Sequence, residues 1–200
     1  MLREIVLATH NPHKVVEFQE ILGAAAPGIV VLPYDGPEPS EDGTSFGDNA
    51  LIKARAAARH TDRVALADDS GLAVEVMGGA PGIFSARWAG RAANDERNRE
   101  LLLEQLADIR DPHRCAQFVC AIAVVVPGRD EKIFLGQWPG KIALTARGDA
   151  GFGYDSIFIP DGATITAAEM NPGEKNAHSH RARAVTALHP YIQQLNNRVP

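Results

Sequence analysis

Two adjacent acids, Asp68 and Asp69, stand directly after the short apolar run Val64-Ala-Leu-Ala67. Such a run predicts a buried strand, and loops beyond strand ends are the usual place for active sites in open α/β sheets. Glu41 or Asp42, from an acidic stretch earlier in the chain, could join them to hold Mg²⁺, which prefers oxygen ligands. One carboxylate could also orient or deprotonate a water molecule. The alternative interpretation is an Asp-rich turn without chemical function.

A second polar stretch could bind an anion. It follows the apolar run Ile5-Val-Leu-Ala8 and consists of Thr9, His10, Asn11, Pro12, His13 and Lys14. The Asn-Pro step suits a helix N-cap followed by the first helical position. A helix that starts there turns unpaired N–H groups and the positive end of its dipole toward a ligand. The alternative is an ordinary cap with a solvated lysine, and the sequence contains no Gly-x-x-x-x-Gly-Lys phosphate loop.

Two later stretches could contact a ring and a polar ligand. Gly151-Phe-Gly-Tyr-Asp155 combines two aromatic residues with one acid, and aromatic faces can stack on a base. Glu174-Lys-Asn-Ala-His-Ser-His-Arg181 concentrates positive or donor groups, which suit an anionic or carbonyl-rich ligand. The alternatives are a Gly-rich turn with its aromatic rings in the core and a capped helix start with solvated side chains.

Apolar periodicity predicts the elements that position these groups. Strands are predicted at 5–8, 28–32, 64–67, 115–126, 132–138, 141–146 and 157–159, with a further segment at 72–77. Helices are predicted from Pro12 to Ala25, at 45–60, at 94–107, and from near Ala177 to a kink or break before Pro190. The proline-rich stretch 33–43 is predicted as a loop, and Lys53 is by itself typical of a solvated helix face. Early alternation of strand and helix followed by consecutive strands indicates an α/β fold with a mixed sheet.

Whole-chain composition excludes several classes of protein. The 200 residues are 45% hydrophobic and 22% charged, as in globular domains, and they suffice for one domain at roughly 100–200 residues each. The net charge of −5 and the lack of a basic stripe predict no nucleic-acid partner. No apolar run approaches the roughly 18 residues of a membrane span and the N-terminus lacks a signal-like segment, so a cytoplasmic location is expected. Cys115 and Cys120 would point to opposite faces of a strand, which predicts two free thiols.

Taken in order, six stretches of the chain resemble the inosine triphosphate pyrophosphatase family. Each is weak alone, but together they cover nearly the whole chain: 7–14, 45–55, 67–72, 78–82, 151–155 and 175–181. The resemblance implies an α/β fold with two lobes on a long mixed β-sheet with flanking helices, an active-site cleft between the lobes, and a single domain over residues 1–200. It also implies a cytoplasmic, Mg²⁺-dependent homodimer that converts ITP, dITP and XTP to the monophosphate and pyrophosphate.

The resemblance also implies roles for individual residues. Asp69 would be the proton acceptor and a metal ligand, with Glu41 as the second acid and Asp68 adjacent. The triphosphate would be held by Thr9, His10, Asn11, Pro12, His13, Lys14, Lys53 and Ser70. The rest of the nucleotide would be held by Phe152, Gly153, Tyr154, Asp155, Lys175, His180 and Arg181.

The sequence departs from the family pattern in two places. Ser156 stands where family members often carry proline, and Ser40, Glu41 and Asp42 compete for one aligned position in the acidic loop. Two alternative functions remain open at this point. A Maf-like pyrophosphatase for pyrimidine or modified nucleotides should lack the Ser-His-Arg stretch at 179–181. A nucleotide sensor without turnover would gain nothing from carboxylates that face phosphates without a metal.

Overall fold

The structure is a computed structural model that describes residues 2–91 and 94–198. Its strands are β1 (Glu4–Leu7), β2 (Val30–Pro33), β3 (Ala65–Val74), β4 (Cys115–Val125), β5 (Glu131–Ile142) and β6 (Phe158–Pro160). Its α-helices are α1 (Pro12–Ala25), α2 (Phe46–Thr61), α3 (Asp95–Gln105), α4 (Pro172–His178) and α5 (His180–Arg198). Short 3₁₀ turns lie at Glu75–Met77, Gly82–Arg87 and Asp155–Ile157.

The six strands form one mixed sheet in the order β2-β1-β3-β4-β5-β6. β1 pairs in parallel with β2 and β3, whereas β5 and β6 are antiparallel. The parallel pairs follow from the helical crossovers α1 and α2, because parallel neighbours need a long connection. The predicted α/β class with a mixed sheet is confirmed. Cys115 and Cys120 are both free thiols, as predicted.

Two strand predictions are wrong. The strand predicted at 64–67 continues as β3 through Asp68 and Asp69 to Val74. Because Leu72 and Val74 are fully buried beyond the acids, sheet pairing and packing outweigh the low strand propensity of the Asp-Asp-Ser-Gly stretch. The two strands predicted at 132–138 and 141–146 are a single strand, β5. Gly140 lies inside it, where a Cβ would collide with the carbonyl oxygen of Ile159 on β6, so this glycine permits a close strand pairing and does not break the strand.

The last helical region also differs from its prediction. α4 ends at His178, Ser179 separates it from α5, and α5 continues through Pro190 to Arg198. A proline inside a helix costs about 3 kcal/mol. Leu188 and Ile192 flank it and are fully buried, and each contributes about 1.5–3 kcal/mol. Packing therefore carries the helix past the proline, whose own side chain is exposed.

The chain divides into two compact units. The first comprises Met1–Asp69, Cys120–Gly136 and Arg183–Pro200, and the second comprises Ser70–Val119 and Gln137–Ala182. In the first unit, one face of the strands packs against α1 and α5 in a cluster that includes Leu66, Phe18 and Leu188. The opposite face packs against the small side chains of α2 in clusters that include Ala54 and Ala67.

The second unit has its own apolar core. It contains residues of β3, β4, β5 and α3, with Leu72, Phe118, Trp138 and Leu102 among its members. The ring of Phe118 contacts that of Phe158 edge-on, with 4.6 Å between ring centroids. Within the described ranges 2–91 and 94–198, the helices are all too short or too polar to cross a lipid bilayer.

Acid should weaken the N-terminal cap of α2. Ser45 is the N-cap, its Oγ accepts from the Asp48 N–H at 3.1 Å, and its hydroxyl donates to Asp48 Oδ2 at 2.8 Å. These hydrogen bonds from Ser45, and then from Thr44, lower the pKa of Asp48. A carboxyl with a lowered pKa in the folded state stabilises the fold above its unfolded pKa, and that stability is lost as pH falls through the folded value. We therefore expect Asp48→Ala to lower the urea midpoint at pH 7 and the difference from wild type to shrink below about pH 4.

Urea unfolding at pH 7 and pH 3.5 checks this expectation. Asp48→Asn is the matched control, since it keeps one acceptor oxygen but has no titratable charge. An equal loss of midpoint for Asp48→Ala at both pH values would contradict the role of the ionised carboxylate.

Candidate active site

Strand geometry separates the two central acids of β3. Successive side chains of a strand point to opposite faces of the sheet. Asp68 therefore shares a face with Leu66, which packs on the α1 side, and Asp69 shares the other face with Ala67, which packs on the α2 side. The sequence predicted two neighbouring acids in a loop. In the structure both lie in β3, with Asp68 on the side of α1 and Asp69 on the side of α2.

Lys14 of α1 pairs with Asp68. Its Nζ lies 2.9 Å from both Oδ1 and Oδ2, and the Asp68 side chain is only 3% exposed. A buried carboxylate without a counter-charge would be strongly unfavourable, so this ammonium compensates it. Lys14 is the residue that the sequence placed at an anion site, and its first structural role is that of a counter-ion.

Lys53 of α2 lies between two further acids. Its Nζ is 2.8 Å from Glu41 Oε1 and 3.9 Å from Asp69 Oδ1. Burial acts to lower the pKa of Lys53, but the hydrogen bond to Glu41 and the charges of Asp69, Glu41 and Asp68 outweigh it, and the pKa is raised. Lys53 is therefore a partly buried, firmly charged lysine, and the solvated-face interpretation is wrong. We call Glu41, Lys53 and Asp69 the acid–lysine cluster.

Burial disfavours the ionised form of Asp69 in this cluster. Burial raises its pKa, and the charges of Glu41 and Asp68 add to the increase. The charge of Lys53 and a hydrogen bond from Asn49 act in the opposite direction without cancelling it. A carboxylate with a raised pKa is a better base than an exposed one and benefits more from a nearby cation.

Asn49 is a site residue that the sequence analysis missed. Its side chain is fully buried; Nδ2 donates to Asp69 Oδ2 at 3.2 Å, and Oδ1 accepts from the Gly43 N–H at 3.0 Å. It therefore links the acidic loop to Asp69. The available signal was a buried amide beside the alanine stripe of α2, because buried polar groups are kept only when they are hydrogen-bonded.

The predicted loop 33–43 is held by His10, which lies between β1 and α1. The His10 ring stacks parallel to that of Tyr34 with 5.8 Å between ring centroids, and its Nδ1 lies 3.0 Å from Glu38 Oε1. His10 Nε2 lies 3.0 Å from the carbonyl oxygen of Gly36. These contacts keep the loop close to the start of α1, and Glu41 is the loop acid that reaches Lys53. Asp42 is exposed.

Thr9 and Asn11 of the predicted anion site lie directly before α1. Thr9 Oγ1 accepts from the Asn11 N–H at 3.1 Å, directly before α1 begins at Pro12. The structure includes Pro12 and His13 in the first turn of α1, but their side chains lie outside what it describes.

The acid–lysine cluster has a donor set that fits a divalent cation. Magnesium is usually held by one or two protein carboxylates together with water and substrate phosphates. Glu41 and Asp69 already face one ammonium group, which shows that this position favours positive charge. Throughout the part of the chain that the structure describes, no group of three or more His, Cys, Asp or Glu side chains could hold a metal ion. The acid–lysine cluster therefore fits a divalent cation whose remaining coordination positions are filled by water and substrate phosphates.

The second unit brings together the Gly-Phe-Gly-Tyr-Asp loop and α4. Lys175 Nζ lies 2.5 Å from Asp155 Oδ2, and both side chains are largely buried. The same carboxylate oxygen accepts from the Phe152 N–H at 2.9 Å. Gly151, at φ +83°, is required here because a Cβ would collide with Asp155 and Lys175. The loop is therefore closed on a buried ion pair.

The two aromatic residues of this loop have different environments. Tyr154 is 4% exposed, belongs to the core, and donates its hydroxyl to the carbonyl oxygen of Ser85 at 2.8 Å. Burial and then the charge of Asp95 raise its pKa. The Phe152 ring is 69% exposed. Stacking on a planar ligand is therefore available to Phe152, whereas the ring of Tyr154 anchors the loop.

The remaining predicted residues lie at the ends of neighbouring elements. His180 begins α5 and its ring stacks on Phe118 with 4.9 Å between centroids, and Arg181 follows it. Ser70 is the residue after Asp69 in β3 and belongs to the second unit. Among the described residues, buried Ser156 Oγ has no hydrogen-bond partner. A cavity of about 350 Å³ in the second unit, bordered by Glu75, Cys115 and Asp161, contains none of the predicted site residues.

Comparison with known proteins identifies the family. The sequence model of the Ham1 family matches residues 5–191. A dITP/XTP pyrophosphatase of Leifsonia xyli is 57% identical over 192 residues, which cover 96% of each chain. One of Streptomyces coelicolor is 46% identical and covers 97% of this chain and 99% of the relative.

Solved structures agree with this assignment. A HAM1 protein from Coxiella burnetii is 43% identical and superposes with a TM-score of 0.89, over 97% of this chain and all of that one. The resemblance predicted from the six motifs is thereby confirmed. The fold and the matched length agree with it, and the chain belongs to the Ham1 family.

Proposed function

We propose that this chain hydrolyses the deaminated purine nucleoside triphosphates ITP, dITP and XTP to the monophosphate and pyrophosphate. The observation that carries the proposal is the acid–lysine cluster, in a chain whose relatives at up to 57% identity are dITP/XTP pyrophosphatases. The proposal treats residues 1–200 as a single two-lobed domain.

The lysines supply positive charge for the triphosphate. Lys14 and Lys53 each pair with carboxylates, and an ammonium group has three donors, so each can contact a phosphate oxygen as well. The first turn of α1 adds N–H groups and the positive end of a helix dipole, with Thr9, His10 and Asn11 beside it. Together with a bound Mg²⁺, these groups would offset the charge of the triphosphate locally, which would allow a protein with a net charge of −5 to bind an anion.

Glu41 and Asp69 would hold Mg²⁺, whereas Asp68 lies on the other face of β3 and pairs with Lys14. When bound, the ion supplies charge neutralisation at the phosphates. The chain itself provides the base: Asp69 takes a proton from a water molecule whose oxygen bonds to the α-phosphorus. The bond from that phosphorus to the bridging oxygen breaks, and pyrophosphate leaves. The raised pKa of Asp69 suits this role, because a more basic carboxylate accepts the proton more readily.

The second unit would hold the remainder of the nucleotide. The exposed ring of Phe152 offers a face for a purine, and the loop that carries it is fixed by Asp155 and Lys175. Donors from His180 or Arg181 would bind the 6-carbonyl of hypoxanthine or xanthine. Adenine carries an amine at that position, so it would leave such a donor without a partner and be rejected.

Release of pyrophosphate from ITP, XTP, GTP, ATP and dTTP, measured with Mg²⁺ and with EDTA, tests the proposal. We expect metal-dependent release from ITP and XTP at least about a hundredfold faster than from ATP, the discrimination that a mispaired buried donor can give. Equal rates on all five substrates would contradict the proposed base recognition. Release of orthophosphate would show attack at the terminal phosphate, and binding without turnover would favour a nucleotide sensor.

The physiological setting is part of the proposal. We expect a homodimer that acts in the cytoplasm on the free nucleotide pool and needs no nucleic-acid or membrane partner. Light scattering behind a sizing column, at several protein concentrations, gives the mass in solution. A mass equal to the 21.5 kDa of one chain at all concentrations would contradict the dimer.

A further inference from the structure

Helix α3 binds the Gly-Phe-Gly-Tyr-Asp loop through two hydrogen bonds to one residue, Gly153. Asp95 Oδ2 accepts from the Gly153 N–H at 2.8 Å, and Arg99 Nη1 donates to the Gly153 carbonyl oxygen at 2.9 Å. Asp95 and Arg99 are four residues apart on α3, so they are neighbours on one helix face. Both backbone polar groups of one glycine are thus bound by one helix of the same unit.

The rest of the loop tip is bound by its own aspartate. The Phe152 N–H donates to Asp155 Oδ2 at 2.9 Å, and the Phe152 carbonyl oxygen accepts from the Asp155 N–H at 3.2 Å. All four backbone polar groups from Phe152 N to Gly153 O therefore have protein partners. The tip is fixed in spite of the 69% exposure of the Phe152 ring.

The hydrogen bonding of this loop tip needs an explanation, because glycine is the residue type with the greatest backbone freedom. Gly153 has φ +59° and no side chain, so only its two backbone groups can be held. An exposed aromatic ring gains nothing for the fold by being held in one orientation, whereas a ring that binds a planar ligand avoids an ordering cost at the moment of binding. The hydrogen bonds from α3 fix the backbone that carries this ring, and so they match a demand of binding.

We propose that Asp95 and Arg99 are positioning residues that hold the Phe152 ring ready to stack on the nucleobase. The inference rests on the proposed function for its ligand, a purine nucleotide. Both residues act through the loop backbone and take no part in phosphate hydrolysis. They set the affinity for the nucleotide and leave the chemical step to the acid–lysine cluster.

Removing the Asp95 carboxylate separates affinity from turnover. We expect Asp95→Ala to raise KM for ITP on the order of tenfold, the scale of one lost charge-assisted hydrogen bond, with kcat within about twofold of wild type. The reason is that base contacts are the same in the ground state and the transition state, so their loss appears in KM. Asp95→Asn keeps an acceptor oxygen and should restore KM. Glu100→Ala, an exposed acid on the same helix, is the matched control.

Amide hydrogen exchange tests the hydrogen bond between Gly153 and Asp95 without any substrate. Peptides that cover residues 152–154 should exchange roughly tenfold faster in Asp95→Ala than in wild type, because the Gly153 N–H loses its acceptor. Asp95→Asn and Glu100→Ala should exchange like wild type. Thermal midpoints of all variants, measured alongside, detect any general loss of stability.

Each result decides between defined outcomes. Equal exchange in Asp95→Ala and wild type would overturn the positioning role of Asp95, and so would an unchanged KM. A fall in kcat at constant KM, with a lower thermal midpoint, would show a purely structural role and would also overturn it. A wild-type chain that does not hydrolyse ITP would contradict the proposed function instead. The exchange comparison would still test independently whether Asp95 fixes the backbone at Gly153.

Discussion

Replacing Asp69 by Asn is expected to reduce kcat/KM for ITP by about 10³-fold, within the roughly 10²–10⁴ range for loss of a general base. The amide has nearly the same shape and can still pair with Asn49, but it cannot accept the proton of the attacking water. Its stability should not fall. The pKa of Asp69 is raised in the folded chain, so the ionised side chain costs folding energy that the neutral amide removes.

Steady-state kinetics with ITP and a thermal melt together check this prediction. Asp42→Asn is the matched control, because Asp42 is an exposed acid next to Glu41 in the same loop and should keep wild-type activity. Loss of a general base usually lowers the rate at least about 10²-fold. If Asp69→Asn retained more than about a tenth of wild-type turnover, its loss would be smaller than this, and the role of Asp69 would be wrong. A clear fall in its melting temperature would show that the residue supports the fold.

Replacing Lys53 by Met should cause the second largest loss, about 10²-fold in kcat/KM, comparable with removing one preorganised charge partner. The ammonium contacts Glu41 at 2.8 Å and faces Asp69 at 3.9 Å. Without it the phosphates lose a cation, and Asp69 loses the positive charge that favours its ionised, proton-accepting form. We also expect a loss of about 2 kcal/mol in unfolding free energy. That is less than the roughly 3–5 kcal/mol for a fully buried pair, because Glu41 is 32% exposed.

Lys141→Met gives a direct comparison for Lys53→Met. Lys141 pairs with Asp111 at 2.7 Å, but both side chains are about half exposed, and such surface pairs contribute about 0–1 kcal/mol. Kinetics and urea unfolding of the two variants should therefore differ strongly. If Lys53→Met behaved like Lys141→Met in both measurements, the acid–lysine cluster would have no functional or structural importance.

Local chemistry explains the predictions that were correct. The apolar stripe of α2, Ser45 at its N-cap and the proline-rich loop 33–43 depend on residues close together in sequence. Their boundaries were therefore predicted within a residue or two. The family was also recognisable, because its motifs are short runs that need no knowledge of their contacts.

Long-range packing explains the predictions that were wrong. β3 continues through Asp68 and Asp69, and α5 continues through Pro190. In both cases a residue with poor local propensity is carried by burial of apolar neighbours on either side. Lys53 was assigned to solvent for a related reason: its partner Glu41 lies in a loop that has no periodic pattern to predict its position.

The sequence by itself determined the inventory of this protein: its α/β class, its family and the acids, lysines and aromatic residues available for chemistry. Only the tertiary structure decided which of them meet. It placed Asp68 against Lys14 and Asp69 against Lys53 because adjacent residues of a strand face opposite sides of a sheet. It also brought Asp95 and Arg99 to Gly153, more than fifty residues away in sequence. Such contacts arise when separate elements pack on a common core, and spacing along the chain carries no record of them.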